Sequence, residues 1–209
     1  MSLQFLVVVH RVPISADFTL NDLAGSGGRM DAIANSVTAA FLYSNHMRRD
    51  TRLSLLMVSD PNRPIRVSMD GSSLRNLNPD ERSTAALVKN AIQRYWGARA
   101  AAEREGETPA AEIETSPGIL VSSVDPVKEL LSFAQTPGAL WLTEEGGPFP
   151  TGATGEAVRV VLSDPYDLTP EEAAVLSGAG IQRVSLGPLP LHSAQCITIV
   201  HNMLDRQKS

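Results

Sequence analysis

From Gly118 onward the chain alternates short apolar runs with helical segments, and this alternation restricts the fold more than any other feature. Residues 118–123, 139–142, 158–162 and 182–186 read as strands. Residues 126–134 and 192–206 read as helices. A further helix opens at Thr169-Pro170-Glu171-Glu172, a capping box with proline at the first helical position, and ends near Gly178 and Gly180. Strands that alternate with helices in this way form a parallel sheet covered by helices on both faces. The first half of the chain extends the pattern. Residues 4–9, 52–58 and 65–69 read as strands, with a turn at 60–64. Residues 29–45 read as a helix, because Met30, Ile33, Ala34, Val37 and Phe41 recur on one helical face. Asn78 and Pro79 read as the cap and first position of a helix running to about Arg104. The polar stretch 105–115, with Gly106 and Pro109, reads as a flexible internal linker within one domain spanning 1–209.

A chain of 209 residues buries a core without staples. Its single cysteine, Cys196, forms no intramolecular disulfide, which favours a reducing compartment. The first apolar run precedes the first basic residue, the reverse of a secretory signal, and no stretch has the length of a membrane span. The expectation is a soluble, cytoplasmic protein. The net charge of −5 is unevenly spread. Residues 1–95 carry a balance of +3 and residues 96–209 a balance of −8. Most of the basic charge is arginine, whose planar fork suits bidentate phosphate contacts, although a genome favouring arginine codons gives the same composition.

In a parallel α/β sheet, ligands bind beyond the carboxyl ends of the strands. That rule selects the loops after Leu142 and Leu162 and the loop Gly187-Pro188-Leu189-Pro190-Leu191. The last is apolar, and its prolines remove N–H groups, so it is unlike a phosphate cradle. It suits an adenine edge or a thioether; a prolyl connection without chemistry would read the same. No G-x-G-x-x-G follows the first strand. His10, His46, His192 and His201 have no partner cysteines and no H-E-x-x-H pattern, so no metal site is expected. Cys196 has no triad signature around it and reads as a small core residue. The stretch Gly25-Ser26-Gly27-Gly28-Arg29-Met30-Asp31 feeds a helix N-terminus, where an anion is favoured. Arg29 and Asp31 fall in its first turn, either as functional groups or as a helix cap and a solvated arginine.

Several of these segments together resemble one family. They are 22–31, Arg48-Arg49-Asp50, 77–82, Ser116-Pro117-Gly118-Ile119, and 185–192 running on to 196–205. In this order and over nearly the whole chain, they resemble the archaeal tRNA pseudouridine-N1-methyltransferases of the SPOUT, or α/β-knot, class. The resemblance implies an α/β fold whose parallel sheet is flanked by helices and ends in a C-terminal trefoil knot. It implies S-adenosylmethionine as cofactor, RNA (tRNA) as substrate, and a homodimer with no membrane and no metal. Position by position, it implies that Leu142, Ser163, Ser185, Leu186, Gly187, Pro188, Leu189, Leu191 and Cys196 line the cofactor pocket. Arg29 and Asp31 would be the catalytic pair facing the RNA base. The helix 192–206 would contribute its apolar face of Ala194, Ile197, His201 and Leu204 to the dimer. The chain departs from the pattern at Ala34-Asn35-Ser36 and at Ser122-Ser123, both expected on the RNA side. Alternatives are a knot methyltransferase of another nucleoside, or a protein that binds cofactor and RNA without turnover.

Overall fold

The computed structural model describes residues 2–150 and 157–207. One mixed sheet of eight strands organises them, in the order β10-β8-β9-β1-β4-β5-β7-β6. Strand β1 (Ser2–Val9) is central, with β9 (Ala157–Ser163) and β4 (Thr51–Met57) parallel on either side. Beyond β9 lie β8 (Ala139–Pro148) and the parallel edge strand β10 (Gln182–Ser185). Val7, Val8 and Val9 are fully buried, as expected of a strand covered on both faces.

Beyond β4 the sheet changes character. Strands β5 (Ile65–Asp70), β7 (Ile119–Ser123) and β6 (Glu112–Ser116) pair antiparallel. The expected parallel sheet is thus extended by an antiparallel wing that the sequence reading did not include. In β5 the apolar Ile65, Val67 and Met69 point into the core while Arg66, Ser68 and Asp70 alternate with them and stay partly open. An antiparallel wing tolerates such a wetted face; the parallel half does not.

The helices form two layers. On one face lie α1 (Met30–Phe41), α2 (Glu81–Arg104) and α5 (Ser193–Asp205), with α1 packed between the other two. On the other, α3 (Pro126–Ala134) and α4 (Pro170–Gly178) cover a smaller cluster around Leu6, Val8, Trp141 and Leu176. The capping box at Thr169 is formed, its hydroxyl accepting from Glu172 N at 3.2 Å.

Several boundaries differ from the sequence reading, and β8 runs on to Pro148 where 139–142 was expected. Helix α1 stops at Phe41, where its apolar period ends, and β2 (Leu42–Tyr43) and β3 (His46–Met47) make a small hairpin. Helix α2 is capped by Asp80, whose carboxylate accepts from Ser83 N at 2.7 Å, so Asn78 and Pro79 lie outside it. Residues 112–115 of the expected linker belong to β6, whose pairing with β7 is set by the turn at Pro117-Gly118. Part of the loop expected after Leu142 falls at 151–156, outside the described residues.

Candidate active site

The carboxyl ends of β8, β9 and β10 converge on one pocket, as the strand-end rule requires. Its walls include Leu142 from β8, Ser163 from the end of β9, and Ser185, Leu186, Gly187, Leu189 and Leu191 from the β10–α5 loop. Cys196, one turn into α5, closes the base. All but one of the expected cofactor residues thus meet in one place; Pro188 is in the same loop but exposed, outside the lining. The loop is tied locally. Ser185 Oγ donates to Gly187 O at 2.8 Å, and Gly187 N donates back to Ser185 Oγ at 3.2 Å. Gly187 has φ 150°, and a Cβ built there meets nothing within 4 Å, so a side chain would project into the pocket. Ser193 Oγ donates to Ser163 O at 2.6 Å and fastens the start of α5 to the end of β9.

Burial and the nearby Glu144 charge push the Cys196 thiol up to about 11. It is therefore protonated at neutral pH and serves as wall rather than nucleophile. Sequence reasoning missed the carboxylates of the pocket, Glu144, Asp164 and Asp167. They give an otherwise leucine-rich hollow a negative side, which fits a ligand that is apolar along one edge and cationic at a sulfonium or ammonium.

A second hollow lies between α1 and α5, and Leu191 and Ser193 belong to both. Arg29 and Asp31 stand in it, with Asn35, Pro165, Thr198 and Ile199. Neither side chain caps the helix. They hold each other instead: Arg29 Nε donates to Asp31 Oδ1 and Nη2 to Asp31 Oδ2, each at 3.0 Å. That pairing holds the Asp31 carboxyl below its ordinary range and raises Arg29. Arg29 itself is left-handed, with φ 71°, which turns its side chain back across the first turn of α1. Gly28 makes this approach possible, since a Cβ there would lie 2.1 Å from Arg11 O.

The comparisons with known proteins bear on this arrangement. Residues 1–209 match the family described as "Putative SAM-dependent RNA methyltransferase". The chain is 39% identical over 202 residues to the tRNA (pseudouridine(54)-N(1))-methyltransferase of Haloarcula marismortui, covering 97% of this chain and 96% of that protein. The enzyme of the same name from Methanosarcina mazei is 36% identical over 205 residues, covering 98% and 91%. The chain belongs to this methyltransferase family. Its fold is also that of Archaeoglobus fulgidus Nep1 bound to S-adenosylhomocysteine, with a TM-score of 0.64, 14% identity, and coverage of 100% and 99%.

Within this family fold, burial refines two expectations about the RNA side and one about the dimer interface. Of the departures at Ala34-Asn35-Ser36, Ala34 and Ser36 are buried, Ser36 Oγ donating to Ala32 O at 2.9 Å, and only Asn35 faces the α1–α5 hollow. Of Ser122 and Ser123, Ser122 is buried in the sheet. The α5 face expected at an interface is partly internal: Ile197, His201 and Leu204 pack in this chain's own core. His201 lies edge-on to Phe5 and bonds Ala40 O at 3.0 Å, and burial followed by the Arg48 charge lowers its pKa to about 4. It is a neutral core histidine.

Sequence spacing also gave no sign of a clamp around His10. Its Nδ1 lies 2.9 Å from Asp164 Oδ1 and its Nε2 3.0 Å from Glu172 Oε2, joining the ends of β1 and β9 to the first turn of α4. Burial opposes the charge, but bonds to both carboxylates outweigh it and raise His10 to about 9. Among the described residues, no group of three or more His, Cys, Asp or Glu could hold a metal ion, and no helix is long and apolar enough to cross a membrane.

Proposed function

We propose that this protein transfers a methyl group from S-adenosylmethionine to N1 of a pseudouridine in tRNA, at position 54 as in the relatives' names. The observation that carries the reading is the continuity of the two hollows through Leu191 and Ser193. It sets the Arg29–Asp31 pair at the mouth of the leucine-walled pocket. Bound there, the cofactor supplies an electrophilic methyl group on a sulfonium. The leucines and the tied 187–191 loop hold its apolar edge and exclude water, and the pocket carboxylates face its positive charge. Asp31 accepts the N1–H of the base and draws off its proton as the N1–methyl bond forms and the sulfonium–methyl bond breaks; the proton then passes to solvent. Because Arg29 keeps Asp31 ionised, orientation of the base and stabilisation of the reacting N–H are its larger contribution. Arg29 holds Asp31 in place and offers its remaining N–H groups to a carbonyl or phosphate oxygen.

The same reading includes a homodimer, and a knot formed as α5 leaves edge strand β10 and returns across the sheet to pack on α1. The outer part of the α1–α5 groove, with Ala39, Thr198 and Ile199, is the surface left for the partner copy, while Asn35 stays on the substrate side with Arg29 and Asp31. Acting on tRNA, the protein works in the cytoplasm.

The test compares two tRNA substrates, identical except for pseudouridine or uridine at the target. Methyl transfer is expected only to the first, because uridine's N1 is glycosidic and carries no proton. Asp31→Asn should lower kcat about 100-fold while RNA affinity changes little. Light scattering on the same preparation should give a dimer mass. Equal methylation of both RNAs means another target atom, and transfer to neither with cofactor bound means a binding protein.

A further inference from the structure

Three arginines stack on aromatic rings along the carboxyl edge of the sheet. The Arg11 guanidinium lies 3.8 Å from the Tyr166 ring centroid and donates to its hydroxyl at 3.2 Å. Arg63, in the β4–β5 turn, lies 4.1 Å over Trp96. Arg99, on α2 just beyond Trp96, lies 5.6 Å from the Tyr95 ring. Strands β1 and β4 are in register up to Val9 and Met57, so Arg11 and Arg63 leave adjacent strand ends. The chain after β1 is bonded to both sides, Ser59 Oγ donating to Val12 O at 2.8 Å and Trp96 Nε1 to Ile14 O at 2.7 Å. Arg63, Trp96 and Arg99 then wall one shallow hollow, which Glu103 also lines. At the other end, the close seat of Gly28 on Arg11 O brings Arg29 beside Arg11 and Tyr166.

Charge distinguishes this row from the arginines that carry the chain's acidic pairs. Arg48, Arg52 and Arg66 are spent on Asp205, Asp70, Glu112 and Glu129. Among the described residues, no salt bridge engages Arg11, Arg63 or Arg99. Each is instead pre-positioned by a ring, which orders the side chain while leaving guanidinium N–H groups for an anion. The protein as a whole carries −5, so this is a local positive feature on an acidic background. Its inner end is the hollow of Arg29 and Asp31.

We propose that Arg11, Arg63 and Arg99 form an RNA-docking ridge that guides backbone phosphates along the sheet edge into the Arg29–Asp31 hollow. The proposal rests on the reading of the chain as an RNA methyltransferase and says where the substrate lies. Stacked arginines ending at a hollow that receives a base fit a nucleic acid better than an acidic peptide, which presents no base to that hollow.

The experiment is fluorescence anisotropy with the pseudouridine-containing tRNA, titrated from about 50 to about 200 mM salt. The Arg63→Ala/Arg99→Ala double variant should bind about tenfold more weakly, with a salt slope shallower by about two, one per lost phosphate contact. The KM for RNA should rise in step while kcat and cofactor affinity hold, which a folding defect would not produce. Arg183→Ala is the control, because Arg183 also stacks on an aromatic, 4.4 Å over Trp141, but on the far edge strand. Its RNA affinity should stay within about twofold of wild type. If the double variant keeps wild-type affinity and slope, or if Arg183→Ala loses as much, the ridge is wrong while the methyltransferase reading stands. Wild-type protein that binds no tRNA overturns both.

Discussion

In the leucine-walled pocket on one side of Leu191 and Ser193, one contiguous segment, 185–191, lines the hollow together with residues from β8 and the end of β9, and a serine in it bonds its own loop. On the other side, the wall is collected from α1, α5, the segment after β9 and, further out, the chain after β1 and the middle of α2. The first compartment is shaped by leucines and a tied loop with carboxylates along one side, and the second is centred on the Arg29–Asp31 pair. They should therefore fail differently. Added volume injures the first, whereas a lost or gained charge injures the second.

The largest expected effect concerns the clamp behind the leucine-walled pocket. His10 bridges Asp164, which lines the cofactor pocket, and Glu172. Replacing it by glutamine leaves two carboxylates, with side chains 1% and 14% exposed, facing each other without a cation. A cost of about 3 kcal/mol is expected for a broken buried pair, lowering Tm by roughly 10 °C. The pH dependence gives a signature. The folded pKa of about 9 lies above the ordinary 6.5. The clamp's contribution is thus complete below pH 6.5 and disappears as pH rises through about 9. Wild type should lose stability over that window, and His10→Gln should lose much less. A variant as stable as wild type at pH 6 would mean that the clamp contributes nothing.

A smaller effect tests the leucine-walled pocket alone. Gly187→Val places a branched side chain where the pocket is open and where φ 150° favours glycine. Calorimetry should show S-adenosylmethionine binding weakened about tenfold or more. Tm without cofactor should fall by a few degrees, because a branched side chain at φ 150° is strained even though the new Cβ meets no protein atom within 4 Å. Unchanged affinity would remove Gly187 from the cofactor contact.

The same contrast explains what was legible in the sequence. The 187–191 loop could be read because its meaning is local: two prolines, leucines, a strand before and a helix after. The strands with continuous apolar runs were legible for the same reason. The antiparallel wing was not, since β6, Glu112-Ile113-Glu114-Thr115-Ser116, is polar as edge strands are, and composition alone reads it as linker. The His10 clamp and the arginine ridge were invisible because their members lie far apart in the chain; His10 and Glu172 are 162 residues apart. The Arg29–Asp31 pair was found from its glycine loop, but spacing could not show that the two residues bind each other rather than cap the helix.

The smallest expected effect tests the Arg29–Asp31 hollow and depends on which departure from the family pattern faces the substrate. Ala34 and Ser36 lie in the core beside Ile33 and Val37, so a basic residue at either position would bury a charge rather than meet RNA. Asn35 is the exposed position of the three, and it lines the hollow with Arg29 and Asp31. Its side-chain hydrogen bond, from Nδ2 to Glu81 Oε2, is 3.4 Å long, so little is lost by replacing it. Asn35→Arg keeps the helix, because arginine is the better helix former, and adds one cation within reach of the substrate backbone. One further phosphate contact should tighten tRNA binding about threefold at moderate salt and steepen the salt slope by nearly one. Part of the new charge will be drawn to Glu81, which is why a larger gain is not expected. Cofactor affinity should not change, since Asn35 is outside the leucine pocket. A tighter complex with an unchanged salt slope would mean that the new side chain packs against a base instead of a phosphate. Weaker binding would place the RNA elsewhere than the α1–α5 hollow.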